Sequence, residues 1–306
     1  MGWSVEDMPS QEGRIALVTG ATDGLGKETA LALGNKGATV IVAGRNRERG
    51  EAIARQMPSA TFEPLDLASL ANVRDFTARV LENYPPIDIL IANAGISMPP
   101  TLQRSADGFE IQMAVNFYGH FALIAGLMPA LTAASARVVT VSSVAASRGK
   151  VDPDDLDGEK GYSPMKYYAL SKLATLLFGQ ELDRRSRENG WGITSLSAHP
   201  GFSRTNLGHS GPKLGSRGIN WVGLSTTLLG PLFAQSAAAG ALPSLYAATA
   251  PEAEGGMFIG PGGRGQMKGP PKVVDLPASA ESHSDAHLLW RAAERATGAT
   301  WPPPQA

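Results

Sequence analysis

Ile15-Ala16-Leu17-Val18-Thr19-Gly20-Ala21-Thr22-Asp23-Gly24-Leu25-Gly26 is an apolar run that passes through three glycines into a helical pattern. Glycines at a strand-to-helix turn permit tight backbone geometry. They also let a phosphate approach the helix N-terminus, where free N–H groups and the macrodipole favour an anion. A turn that serves only to pack strand against helix would use glycine as well. The spacing is Gly-x-x-x-Gly-x-Gly rather than Gly-x-Gly-x-x-Gly.

Outward from this turn, short β-branched or apolar runs alternate with longer helical patterns. Strands are predicted near 15–19, 39–43, 61–65, 87–92, 138–142, 193–198 and 257–259, and helices near 24–36, 46–56, 69–83, 109–131, 167–187 and 235–248. The alternation is that of βαβ units: an α/β fold, a doubly wound Rossmann-type parallel sheet of about seven strands flanked by helices. Continuous apolar runs fit strands covered on both faces. No linker splits the chain before residue 206, so residues 1–306 read as one domain with its core at 13–260. Residues 206–240 mix Gly, Pro212 and Pro231 with Trp221, Leu228 and Phe233, which suits a substrate lid with an apolar lining. Residues 261–306 read as a C-terminal extension with a helix near 284–296 and a tail from Trp301.

Composition removes several function classes. With 27 Lys+Arg against 28 Asp+Glu there is no global basic field to attract nucleic acid. The absence of cysteine excludes disulfides, thiolate metal sites and cysteine nucleophiles. The five histidines (His120, His199, His209, His283, His287) form no His-Glu-x-x-His pair, so no metal is expected. The N-terminus lacks the pattern of a secretory signal, and no segment reads as long enough for a spanning helix, so the expected location is cytoplasmic.

Tyr168-Ala169-Leu170-Ser171-Lys172 places a phenol and an amine four residues apart, on one helix face. An ammonium near a tyrosine favours the phenolate, which would let the hydroxyl exchange protons near neutrality. An amphipathic helix with an exposed lysine has the same spacing. Tyr167 cannot take the role of Tyr168, because the residue four positions on is Ser171.

Taken together, Thr19-Gly20-x-x-x-Gly24-x-Gly26, Asn93-Ala94-Gly95, Ser142-Ser143 and Tyr168-x-x-x-Lys172 resemble the short-chain dehydrogenase/reductase family in order and spacing over most of residues 13–260. Asn116 in Val-Asn-Phe-Tyr-Gly-His-Phe, His199-Pro200-Gly201 with Thr205, and Tyr162-Ser163-Pro164 make the chain most similar to the retinol-dehydrogenase-like branch. That branch's membrane anchor has no counterpart in the reading.

The resemblance implies a nicotinamide dinucleotide at Gly20, Thr22, Asp23, Gly24, Leu25 and Gly26. Asp66 and Leu67 would flank the adenine, and Asn93, Ala94 and Gly95 would line the nucleoside side. Asp66 could instead cap the helix starting near Ser69. At the end of the second strand an acidic residue would bind a ribose 2′-hydroxyl, whereas arginine accommodates a 2′-phosphate. Here the chain reads Gly44-Arg45-Asn46, so Arg45 favours NADP(H) over NAD(H). Against it, Asp23 stands where some relatives carry a basic residue.

The expected reaction is hydride transfer between the nicotinamide and the carbonyl or hydroxyl carbon of a mostly apolar ketone, aldehyde or alcohol. Tyr168 is the expected general acid/base, Lys172 its tuning group and ribose ligand, and Ser143 the holder of the substrate oxygen, with Ser142 the competing candidate. By resemblance Asn116 organises a water beside Lys172, and Ser203 and Thr205, following Pro200 and Gly201, contact the carboxamide and pyrophosphate. His199 is read as structural. Met98, Tyr162, Met165 and the lid are the expected pocket walls, although Met at helical spacing also suits a core. Two alternatives stay open: an NAD-preferring alcohol dehydrogenase of the same family, and a non-catalytic dinucleotide-binding regulator. No Gly-x-Ser-x-Gly elbow supports a hydrolase. The expected partner is a small-molecule carbonyl or alcohol, and a homodimer is left open.

Overall fold

The computed structural model describes residues 2–202 and 235–303. Its strands are β1 (Ile15–Thr19), β2 (Thr39–Gly44), β3 (Ala60–Pro64), β4 (Ile89–Ala92), β5 (Arg137–Val141), β6 (Thr194–Ala198), β7 (Phe258–Pro261) and β8 (Pro271–Val273). They form one sheet in the order β3-β2-β1-β4-β5-β6-β7-β8, parallel throughout except for β7 with β8. The helices are α1 (Gly24–Asn35), α2 (Arg47–Ala54), α3 (Leu70–Asn83), α4 (Ile111–Met113), α5 (Gly119–Ala133), α6 (Pro164–Asn189), α7 (Ala237–Thr249) and α8 (His283–Thr297). A π-helical turn, Ala114–Tyr118, joins α4 to α5.

Alternation along each strand explains the two cores. Leu17, Ile41, Leu90 and Val138 point to one face, where they meet Phe76, Phe121 and Leu173 from α3, α5 and α6. Val18, Val42, Ile91 and Val139 point to the other, against Leu33 of α1 and Leu245 of α7. Both faces are therefore covered, as the unbroken apolar runs require. The order reverses between β1 and β4, so their C-terminal ends form the crevice at the switch point of an open α/β sheet.

Four sequence expectations change. The extension beyond 261 contributes β8 to the sheet; three residues opening on a proline, between glycine-rich and polar stretches, carry too little pattern to be read as a strand. Trp301 is not a loose tail: its ring lies 4.5 Å from Trp290 and 5.1 Å from Phe121. Helix α6 starts at Pro164, three residues earlier than predicted, with Ser163 as N-cap and proline at a first-turn position where its missing N–H is harmless. Finally, Ile111–Ala133 is long and apolar enough to cross a membrane, but its apolar window is 83% buried inside the protein, as a core helix packed on α3 and α6. Most of the predicted lid lies outside the described residues, and its last residues, from Ala237, belong to α7.

Candidate active site

At the end of β1 the chain turns back on itself. Gly20 has φ +66°, and a Cβ there would stand 2.8 Å from the Ala94 Cα. A Cβ at Gly26 would stand 2.4 Å from both the Gly20 carbonyl oxygen and Asn93 Nδ2. These glycines let the turn seat against the end of β4. Asn93 ties the two together: its Nδ2 donates to the Thr19 carbonyl at 2.9 Å. Asp23 caps α1, accepting from the Gly24 N–H at 2.7 Å, and lies 3.7 Å from Arg49. Thr22, Gly24 and Leu25 are half-buried around the same turn.

Arg45 is exposed at the end of β2, and among the described residues it has no ion-pair partner, whereas Arg47 pairs with Glu51 and Arg49 with Asp23. Asn46, expected at the cofactor, is the N-cap of α2, accepting from the Arg49 N–H at 2.9 Å. Asp66 Oδ1 accepts from the Ala68 N–H, and the cap of α3 is Ser69. The Leu67 side chain is buried in the core.

The two serines after β5 separate cleanly. Ser142 is buried and donates to the Lys172 carbonyl at 2.7 Å. Ser143 is half-buried, accepts from the Ala145 N–H as N-cap of a short 3-10 turn (Val144–Arg148), and lies near enough to the Tyr168 hydroxyl to lower its pKa. The two tyrosines separate as well. Tyr167 is fully buried, donates to Asp155 Oδ2 at 2.7 Å and stacks on Tyr162, so it is spent on holding the preceding loop.

Burial pushes the Tyr168 phenol above its ordinary value, and the neighbouring Ser143 offsets part of the rise. Burial also pulls the Lys172 amine down to about 8. Its Nζ donates to the Val141 carbonyl at 2.9 Å. A Cβ on Gly95 would come 3.3 Å from this Nζ and 3.1 Å from Asn116 Oδ1, so the amine and the amide share one wall.

Asn116 sits in the π turn, a local widening common at functional sites. Its Oδ1 accepts from the Ile96 N–H, and its Nδ2 donates to the Ile96 carbonyl and to Ser171 Oγ. Its carbonyl receives Thr175 Oγ1 and His120 Nδ1, each at 3.1 Å. His120 went unread in the sequence, although it lies four residues after Asn116 on the same face.

Beyond β6, Gly201 takes φ +62° and Pro200 accepts from Gln235 Nε2 at 2.7 Å. Ser203 and Thr205 lie outside the described residues. His199 is structural in its contacts: Nδ1 accepts from the Gly201 N–H and Nε2 meets Gln266 Oε1 at 2.9 Å. On the opposite wall Gln112, also unread, pins three segments, accepting from the Met98 N–H at 2.7 Å and donating toward Tyr162 and the Pro164 carbonyl. Tyr162 in turn donates to the Pro99 carbonyl at 2.8 Å, Met98 holds φ +50°, and Met165 is exposed.

The donor set fits a phosphate-bearing dinucleotide: a helix N-terminus at the glycine turn, a guanidinium at the exposed strand end, and an amine on the shared Gly95 wall. A family model described as short chain dehydrogenase matches residues 14–213. Polyprenol dehydrogenase of Mus musculus is 43% identical over 81% of this chain and 75% of its own length. Retinol dehydrogenase 13 of Homo sapiens is 40% identical over 78% and 73%. A crystal structure of a Mycobacterium Paratuberculosis protein superposes with a TM-score of 0.81 at 37% identity, covering 99% of this chain and all of the other. The chain therefore belongs to the short chain dehydrogenase family of NAD(P)(H)-binding oxidoreductases, on the side of it that holds the retinol dehydrogenases.

Proposed function

We propose that this protein is an NADP(H)-dependent dehydrogenase/reductase of apolar alcohols, ketones or aldehydes. The observation that carries the reading is that Ser142 and Tyr167 are held in buried hydrogen bonds to the Lys172 carbonyl and to Asp155, which leaves Ser143 and its neighbour Tyr168 as the hydroxyls beside the switch-point crevice. A bound nicotinamide supplies or accepts the hydride. Tyr168 gives its proton to the oxygen in reduction and takes it back in oxidation, while Ser143 holds that oxygen and stabilises the charge developing on it. A phenol kept protonated by burial is suited to the donor role. Lys172 and Asn116 share the wall at Gly95, where the amine would hold a ribose hydroxyl of the bound dinucleotide. The substrate class is supported by the names of the two relatives, which denote the apolar alcohols polyprenol and retinol, and by the exposed apolar side chains of Val144, next to Ser143 in the chain, and Met165, one turn before Tyr168.

Preference for NADP(H) rests on Arg45. A charge-assisted hydrogen bond to a phosphate contributes roughly 1.5–3 kcal/mol, or about 10- to 150-fold in affinity. The test is a panel of apolar alcohols and carbonyls with each cofactor, followed at the nicotinamide absorbance, in wild type and Arg45→Ala. Turnover with NADP(H), with Arg45→Ala losing NADPH but not NADH affinity, is the expected result. No turnover on any member would leave the regulator reading, and equal losses for both cofactors would remove the phosphate assignment.

A further inference from the structure

A chain of three buried polar groups runs behind the site. Thr19, His120 and Asn116 are respectively 0%, 2% and 1% exposed. His120 Nε2 lies 2.9 Å from Thr19 Oγ1, and Nδ1 lies 3.1 Å from the Asn116 carbonyl. The chemistry of the two ends fixes the direction of both bonds. A carbonyl only accepts, so Nδ1 carries the proton and Nε2 is the lone-pair nitrogen. Thr19 Oγ1 already accepts from the Asn93 and Ala94 N–H groups, at 3.0 and 2.9 Å, so its single proton goes to Nε2. The Ile91 carbonyl, at 3.4 Å, is the poorer acceptor.

We infer that His120 is a positioning residue that couples the dinucleotide side to the proton-transfer side: it fixes the Thr19 hydroxyl that holds Asn93 and Ala94, and it holds the Asn116 carbonyl in the π turn beside Lys172. The inference rests on the hydride-transfer reading for its kinetic consequence but not for its geometry. A protonated imidazole would present a second N–H to a hydroxyl whose lone pairs are both taken, so the network holds only with the neutral ring.

Each nitrogen can be removed separately. Asparagine reproduces the Nδ1 donor to Asn116 without reaching Thr19; glutamine reproduces the distal acceptor for Thr19 and leaves the Asn116 carbonyl without that donor. In the full chain labelled with 15N-histidine, the His120 resonances, identified by their loss in His120→Asn, are expected to show the neutral ring with a protonated Nδ1. An imidazolium or an Nε2–H tautomer near neutral pH would overturn the inference. By NADPH fluorescence titration and steady-state kinetics, His120→Asn is expected to weaken dinucleotide binding about tenfold more than it lowers kcat. His120→Gln is expected to do the reverse, with a similar factor of about ten, the size of one net buried hydrogen bond. Parallel losses of binding and kcat in both variants, tracking Tm, would mark a histidine that is merely structural and defeat the proposal, as would wild-type behaviour in both. The tautomer and the NADPH titration need no turnover, so they judge His120 even if the enzymatic reading itself fails on the substrate panel.

Discussion

The β1–α1 turn and the α6 face meet at the same end of the sheet but are held by different means. The turn is a backbone device: Gly20 and Gly26 leave no space for a Cβ, and the atoms a Cβ would meet are main chain, the Ala94 methyl and the Asn93 amide. The α6 face is a side-chain device: Ser142, Lys172, Ser171 and Asn116 form a buried polar network in which each group has a named partner. A backbone device tolerates almost no substitution. In a side-chain device each group can be removed singly, which makes the two regions separable by experiment.

The sharpest separation comes from Tyr168→Phe. Loss of the proton donor is expected to lower kcat by about 10²–10⁴ while NADPH binding stays near wild type, read by turnover and fluorescence titration. Near-wild-type turnover would end the mechanism.

Lys172→Met tests the burial of the network through pH. The folded amine titrates at about 8 against an ordinary 10.5, so below pH 8 both folded and unfolded chains carry the charge and the burial penalty is fully present. Between those values only the unfolded chain keeps the proton, so this group makes stability rise with pH. The stability gap between wild type and Lys172→Met, from urea unfolding at pH 7 and at pH 10.5, is expected to change by on the order of 3 kcal/mol in favour of the wild type at the higher pH. A gap that does not move would place the amine in water.

Gly26→Ala probes the turn. A methyl 2.4 Å from the Gly20 carbonyl oxygen must displace main chain, so a loss of about 1–3 kcal/mol in stability is expected, with weakened NADPH binding. Intact dinucleotide binding in that variant would break the contrast between the two regions. The smallest effect is expected from Ser142→Ala: about 1 kcal/mol of stability for one lost hydrogen bond, with kcat changed far less than the ~10²–10³ of a lost oxyanion donor at Ser143→Ala.

How much was legible follows from the same division. Glycine spacing and strand periodicity report backbone demands, which are local in sequence, and the Tyr168–Lys172 offset reports a helix face. Which serine after β5 turns to Tyr168 was beyond sequence spacing, because Ser142 and Ser143 differ only in the side of the strand end they leave from. The Arg45 position was legible, but its neighbour Asn46 proved to be a cap. His120, Gln112 and Asp155 escaped notice because their partners, Thr19, Met98 and Tyr167, are supplied by other elements.

The sequence by itself determined the parallel α/β sheet, the glycine turn and the candidate proton donor, since each is written in a period or spacing that one segment carries alone. Tertiary packing set the antiparallel eighth strand, the docking of Trp301, the separate contacts of Ser142 and Ser143, and the burial that draws Tyr168 and Lys172 toward their neutral forms. Those depend on which groups distant segments bring together and on how much water they exclude, and neither quantity is written in any one stretch of chain.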